Sequence, residues 1–532
     1  MASQNVRPDH IKFDDDDSIF RINTNVSNGI ERVTTFGKTY WKNIIIITFI
    51  AYTSVIPEST VFPIEWAYLQ ISDSNADEAF YGYLASVNAL GQVISSALSG
   101  YVTNKIQQVK GPIVFGYILA LLSCCIYLCI EFIPYKRRFV FLIFEFIMGI
   151  SVGSIKMYRV HIAMGVDDNK KPKAFAITLI ANVFALISGP IFQFIFSLIF
   201  KYPGISIFGG LHLNIFTIPG YFTFFFSAIS LIVMIFWFSS GDTMKNSEAI
   251  IIHKKINEIQ MEDLDNISIG NGESLCDTIR KRKKCVKQQL KIDYLAVAVC
   301  FLIKIVISTT TILLRTTMIP YMQTLFAFNA KQLVKYTTII QIIMAILSLG
   351  CYMIYFLFKV GDRYKERSTF IFGFSMIIVY YLITYPWNFY EYTIRENLDK
   401  NLEIDSRINL NSTDLCKYSW CLTTYTVNGW IFFTTTIIAI GISTPLIFIN
   451  LEILYSKLLK NIKQGTMQGI FMAVGNILAI ICPLIYNKIY ESSGPKTIWI
   501  IQIFLNLFTL GTIFIYYNRL SLSVPKIIHS NY

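Results

Sequence analysis

The chain has 532 residues, of which 54% are hydrophobic and only 15% charged, and it carries a net charge of +12. Its apolar residues gather in runs of about 20, the length that crosses a hydrocarbon core of ~30 Å as a helix. That pattern excludes a water-soluble globular enzyme and points to an all-α, polytopic membrane protein.

Residues 1–43 form a polar N-terminal tail with the acidic run Asp14 to Asp17, and they lack the basic, apolar, small-residue order of a cleaved signal peptide. Hydropathy then places twelve spans, at 44–69, 79–101, 113–133, 139–160, 175–200, 215–238, 294–321, 336–358, 368–386, 429–453, 468–486 and 497–517. The order is six spans (44–238), a polar linker loop (239–293), six spans (294–517, with a long loop at 387–428) and a tail at 518–532. Placing both termini in the cytosol puts more than twice as many Lys and Arg on the cytosolic side as on the other. The positive charge therefore calls for no nucleic acid. The basic run Arg280, Lys281, Arg282, Lys283 and Lys284 suits anionic lipid headgroups or a solvated linker.

Span 1 contains Pro57 and Pro63, which predict a kink near Glu58 and Glu65, two acids seven residues apart on one helical face. "GYVTNK" follows span 2, with Gly100, Asn104 and Lys105, and "VGDRYKER" follows span 8, with Gly361, Asp362 and Arg363. A glycine-led polar turn at matching places in both halves indicates an internal repeat and two pseudo-symmetric six-helix bundles. Gly189 and Pro190 in span 5 predict a bend or a close helix contact. Glu145 enters span 4, while Lys304 and Arg315 lie 11 residues apart on one face of span 7.

An ionised side chain at the bilayer centre costs about 2.5–3.5 kcal/mol on insertion scales, so such groups line a pathway or hold a partner. Glu58, Glu65, Glu145, Lys304 and Arg315 are thus the transport or gating candidates. The expected pairings are Glu145 or Glu65 with Arg315 across the two halves, closing a luminal gate, and Lys304 with Glu58 nearer the midplane. A plain structural ion pair is the alternative. Lys156 and Arg159, at the cytosolic end of span 4, are expected to snorkel to the headgroups. Glu131 and His161 call for no functional reading.

Of three glycosylation sequons, at Asn25, Asn266 and Asn411, only Asn411 falls on the luminal side, near the potential disulfide pair Cys416 and Cys421. No metal-ligand spacing, phosphate-cradling loop or hydrolytic constellation is visible, so neither cofactor nor enzymatic activity is expected.

The paired turns and the Gly-Pro of span 5 resemble the major facilitator superfamily. "WAYLQ" (66–70), "FYGYLASVNALGQVISSALSG" (80–100), "ISGPIFQ" (187–193), "SWCL" (419–422) and "LYSKLLKNIKQGTMQG" (454–469) resemble more closely the lysosomal major facilitator superfamily domain-containing protein 8 family, linked to ceroid lipofuscinosis. The similarity runs from about residue 44 to 520. It implies a twelve-helix facilitator fold, an endolysosomal membrane, and flux of a small anion such as chloride. Where that family has an arginine early in span 4 and a glutamate late in span 7, this chain has Glu145 and Arg315, with the signs exchanged. The family's acidic-dileucine signal has no clean copy in the N-terminal tail. Two other functions fit the residues: a proton-coupled exporter of a small organic solute, using the buried acids, and a membrane scaffold or receptor without transport.

Overall fold

The computed structural model describes residues 41–73, 78–133, 136–166, 170–208, 211–239, 293–326, 330–358, 360–363, 365–390, 392–396, 418–459 and 464–520. The N-terminal tail, the basic run 280–284, Asn411 and Cys416 lie outside the described residues, as do the side chains of Arg315, Asp362 and Arg363.

Among the described residues, ten helices are long and apolar enough to cross a membrane. We number the helices along the chain: α1 Trp41–Ser72, α2 Glu78–Ile106, α3 Lys110–Leu128, α4 Arg137–Gly165, α5 Lys171–Ile199 and α6 Ile218–Phe236 form the first half. In the second half are α7 Tyr294–Phe326, α8 Ala330–Phe358, α9 Glu366–Thr384 and α10 Gly429–Leu459. The last element, Gln464–Ile515, is two helices joined at Gly494, whose φ of 71° breaks the helix; α11 precedes it and α12 follows. Helix α2 is not among the ten, because Ser86, Asn88, Gln92, Ser95, Ser96 and Ser99 dilute its apolar run. With α2 added and the last element divided, the helices are consistent with the twelve spans read from the sequence.

Helix α1 is broken at Val61, between Pro57 and Pro63. A proline supplies no amide hydrogen, so carbonyls one turn earlier lose their partners. Gln193 of α5 donates its side-chain amide to the Thr60 carbonyl at the break. The contact requires close approach of the two backbones: a Cβ on Gly189 would lie 2.4 Å from that of Ser59. Gly189 and Pro190 thus mark where α5 docks against the break in α1.

The halves meet along α2 and α11 and along α5 and α8. At Gly100 of α2 a Cβ would stand 2.6 Å from the Gly465 carbonyl of α11 and 2.9 Å from the Gly469 Cα, so only small residues permit this crossing. Gly361, beyond α8, faces Pro172 at the start of α5 with similar closeness. Around these contacts one apolar cluster joins Ile44, Ile155, Tyr158 and Phe175 of the first half to Tyr352, Ile449, Ile453 and Met472 of the second. All of them lie toward the side of the bundle where α1 begins and α12 ends, here called the terminal side.

On the opposite side, a two-stranded antiparallel hairpin, β1 Ile205–Phe208 and β2 Leu211–Leu213, joins α5 to α6. Glu131 anchors it, accepting from the Asn214 amide at 2.9 Å and meeting His212 Nδ1 at 2.9 Å. The "SWCL" motif caps the α11–α12 turn: Trp420 stacks on Tyr418 and lies against Gly494, where a Cβ would meet its ring at 2.7 Å.

Candidate functional site

Glu65, just past the break in α1, and Glu145 of α4 are 3% and 2% exposed. Their carboxyl groups lie within electrostatic reach of each other, and Oε1 of each is buried without a hydrogen-bond partner among the described residues. Two ionised carboxylates side by side in a buried site repel, which favours a proton on one of them. Asn88 of α2 donates its amide to Glu145 Oε2 at 2.7 Å and to the Glu145 carbonyl at 3.2 Å. Backbone proximity makes this possible. At Gly149, one turn beyond Glu145, a Cβ would be 2.2 Å from the Asn88 carbonyl, and Gly91 and Gly153 are equally crowded between α2 and α4. The phenols of Tyr81 and Tyr127 stand within electrostatic reach of both acids.

The polar contacts continue along α2. Gln92 donates to Asn88 Oδ1 at 2.8 Å, and Lys156 Nζ donates to Gln92 Oε1 at 2.9 Å. Lys156 and Met157 interrupt α4 with a turn, and Arg159 lies on its far side. There Arg159 bridges the halves: its Nη1 is 2.9 Å from Glu452 Oε1 of α10, with side-chain exposures of 19% and 4%. Lys304 of α7, 8% exposed, lies close by. Its ammonium sits 5.2 Å from the Phe448 ring centroid and 5.3 Å from that of Phe471, within the fields of Glu452 and Arg159. A buried cation held over two ring faces gains electrostatic attraction without being fully neutralised. Among the described residues, no group of three or more His, Cys, Asp or Glu is placed to hold a metal ion.

Several expectations change. Glu65 and Glu145, read as alternative partners for one arginine, come within electrostatic reach of each other, since the break in α1 turns Glu65 toward α4. The Arg315 side chain, their expected partner, lies outside the described residues. The carboxylate acting on Lys304 is Glu452, not Glu58, which is half-buried on α1. Lys156 and Arg159 do not snorkel: one ends a buried hydrogen-bond chain and the other crosses to the second half. The described ion pair between the halves stands on the terminal side, away from the acid pair.

Of the loop motifs, Gly100 and Gly361 sit in tight contacts, Asn104 accepts from Gln107 at 2.8 Å through its carbonyl, and Lys105 is exposed. Asn88, Gln92 and Glu452 were missed by the sequence reading. Asn88 and Gln92 are spaced i, i+4 in an apolar run, with Ser95, Ser96 and Ser99 continuing that face, which was a readable signal. Glu452 is the only acid between Gly429 and Leu459, but hydropathy ends the span beside it.

Membrane-length helices in paired halves and a buried polar seam together match a known family. The profile of the Major Facilitator Superfamily fits residues 44–394. This chain belongs to that superfamily. It is 24% identical over 475 residues to the major facilitator superfamily domain-containing protein 8 of Xenopus laevis, covering 86% of this chain and 88% of that protein. Among solved structures it resembles the human organic anion transporter MFSD10, with a TM-score of 0.56 at 10% identity, over 89% of this chain and 99% of that one. It also resembles the proton:xylose symporter XylE bound to 6-bromo-6-deoxy-D-glucose, with a TM-score of 0.58 at 13% identity, over 92% and 96% of the two chains. As a superfamily member the chain is a multi-pass membrane protein of the transporter type, and the site above lies within its membrane-spanning bundle.

Proposed function

We propose that the protein is a proton-coupled carrier of a small anion in an endolysosomal membrane. The observation that carries this reading is the Glu65–Glu145 pair: two carboxyls buried within electrostatic reach of each other favour a proton on one of them, which can leave or be joined by a second. Lys304 supplies the complementary feature, a buried cation beside the boundary between the halves, where an anion could exchange with Glu452. The likeness to an organic anion transporter and to a proton symporter supports the same class. Chloride is the smallest candidate substrate. The endolysosomal address rests on the resemblance to the domain-containing protein 8 family.

With the termini in the cytosol, the terminal side is the cytosolic one, and Asn411 and Cys421 are luminal. Cys421 is disulfide-bonded, and the six other described cysteines are free. The conformation with tight contacts at Gly100 and Arg159 then has its cytosolic side closed.

The test is anion uptake by the purified protein in liposomes, with and without an imposed proton gradient. Wild-type uptake should follow the gradient, and Glu145→Gln should lose that dependence with at least about a tenfold drop in gradient-driven rate, corresponding to about 1.4 kcal/mol. A chloride current in wild type that ignores the proton gradient would instead favour channel-like flux. Absence of any flux from folded, oriented protein would favour the scaffold reading.

A further inference from the structure

Lys304 and Ser308 lie one turn apart on α7, and both meet α11 at Gly475. A Cβ built on Gly475 would stand 3.2 Å from Lys304 Cε, 3.8 Å from Lys304 Nζ and 3.7 Å from Ser308 Oγ. The missing side chain of Gly475 thus leaves a gap onto which an ammonium and a hydroxyl both open. The two residues are 8% and 6% exposed, and neither side chain makes a hydrogen bond or an ion pair among the described residues. Buried donors without an acceptor have lost water and gained nothing in its place. An acceptor in the gap is therefore stabilised by both.

Charge decides what kind of acceptor this is. The charged groups whose fields reach Lys304 are Glu452 and Arg159. Those two are paired with each other at 2.9 Å, so their charges cancel and the single positive charge of Lys304 is left over. A singly charged anion brings the cluster to neutrality. A doubly charged one leaves a net negative charge in a buried site, where charges interact strongly and desolvating an ion is expensive. The aromatic wall sets the direction of approach. Phe448 and Phe471 hold the ammonium 5.2 and 5.3 Å from their ring centroids, and Phe471 is itself fixed by stacking on Tyr455 at 4.1 Å. A ring face is electron-rich and disfavours an anion, so the anion belongs on the Ser308 and Gly475 side of the ammonium.

Resting on the reading of Lys304 as the cation that meets the anion, we propose that Lys304, Ser308 and Gly475 form a subsite for one singly charged anion. Lys304 supplies the charge, Ser308 donates its hydroxyl, and Gly475 provides the room. The subsite selects by charge first and by size second. Chloride and a small monocarboxylate such as acetate carry the charge it matches, whereas sulfate does not. Gly475 separates the two monovalent classes: a methyl group there crowds Lys304 Cε and narrows the gap, which excludes a carboxylate before it excludes a halide.

The experiment follows the thermal unfolding midpoint of the purified full chain in detergent as sodium chloride, acetate or sulfate replaces sodium gluconate at constant ionic strength, which reads binding without transport. Each shift is taken as the difference from Lys304→Gln, with Lys304→Met as a second reference, so that general salt effects cancel. Chloride and acetate should give a saturable difference at concentrations about tenfold lower than sulfate. Ser308→Ala should raise the half-saturating concentration of both monovalent anions about fivefold, the loss of one hydrogen bond. Gly475→Ala should raise that of acetate about tenfold and that of chloride less than about threefold. Equal half-saturation for sulfate and chloride overturns the subsite, and so do unchanged values in folded Ser308→Ala, a small change that keeps the test decisive if Gly475→Ala does not fold. If binding behaves as stated while liposome uptake ignores the proton gradient, the subsite stands and the proton-coupled reading fails. If uptake follows the gradient while no anion gives a saturable difference, the carrier reading stands and the subsite is overturned.

Discussion

The two halves each bury a side-chain network, and they differ in what lies at the ends. In the second half Thr310 of α7 donates to Gln502 of α12 at 3.1 Å, and Gln502 donates to the Tyr486 hydroxyl of α11 at 2.7 Å. Every member is neutral. In the first half the chain through Asn88 and Gln92 ends on a carboxyl pair and an ammonium. A neutral network makes the same bonds at any physiological pH, so it fixes how α7, α11 and α12 pack. A network that ends on titratable groups can exist in two hydrogen-bonded states and therefore can report a proton. Similar architecture thus serves as a clamp in one half and as a signal in the other.

The largest effect is expected where the halves are joined. Glu452→Ala leaves the Arg159 guanidinium without its carboxylate; loss of one partner of a buried pair costs about 3–5 kcal/mol. With 19% of the Arg159 side chain exposed, solvent lowers that figure toward the bottom of the range. Denaturant or thermal unfolding in detergent should show the loss, and the exchange Arg159→Glu with Glu452→Arg should recover part of it. Full stability in the single variant would mean that the bridge contributes nothing to the joint.

A smaller effect separates clamp from signal directly. Gln502→Leu removes the amide that donates to the Tyr486 hydroxyl and one of two acceptors of the Thr310 hydroxyl, which keeps the Val306 carbonyl, and a lost buried partner costs about 1–3 kcal/mol. The unfolding midpoint should drop while the pH dependence of uptake stays at its wild-type position. A moved pH profile in this variant would erase the contrast between the halves, since a neutral network would then be sensing protons.

The fold was legible because burying backbone in lipid forces helices, and helices announce themselves by length and apolarity. Pro57 and Pro63 foretold the break in α1, and the Gly-Pro of α5 foretold a close contact, because both rest on local backbone chemistry. The site was only half legible. An ionised residue in an apolar run is conspicuous, so Glu65, Glu145 and Lys304 stood out. Their partners depend on rotation about each helix axis and on which helices are neighbours, and neither is written in residue spacing. Glu65 and Glu145 lie on non-adjacent spans, and like charges do not suggest a pair. Arg159 and Lys156 sit near a span end, where snorkelling is the cheaper outcome unless a neighbouring helix offers an acceptor, as α10 and α2 do.

The smallest effect concerns Lys304, which belongs to the second half yet lies beside the charged seam. Its ammonium is held by Phe448 and Phe471 and by the nearby Glu452. Lys304→Gln keeps most of the side-chain length while removing the cation, so the stability change should be about 0.5–2 kcal/mol, the scale of a desolvated cation–π contact. If the ammonium meets the anion, the apparent KM should rise about fivefold, corresponding to roughly 1 kcal/mol, with the pH midpoint unmoved because the acid pair remains intact. A shifted midpoint with unchanged KM would place Lys304 on the proton side of the machinery instead. The gap between those outcomes is chemical: a substrate-binding cation changes how much anion is needed, whereas a group on the proton path changes at which pH the carrier works.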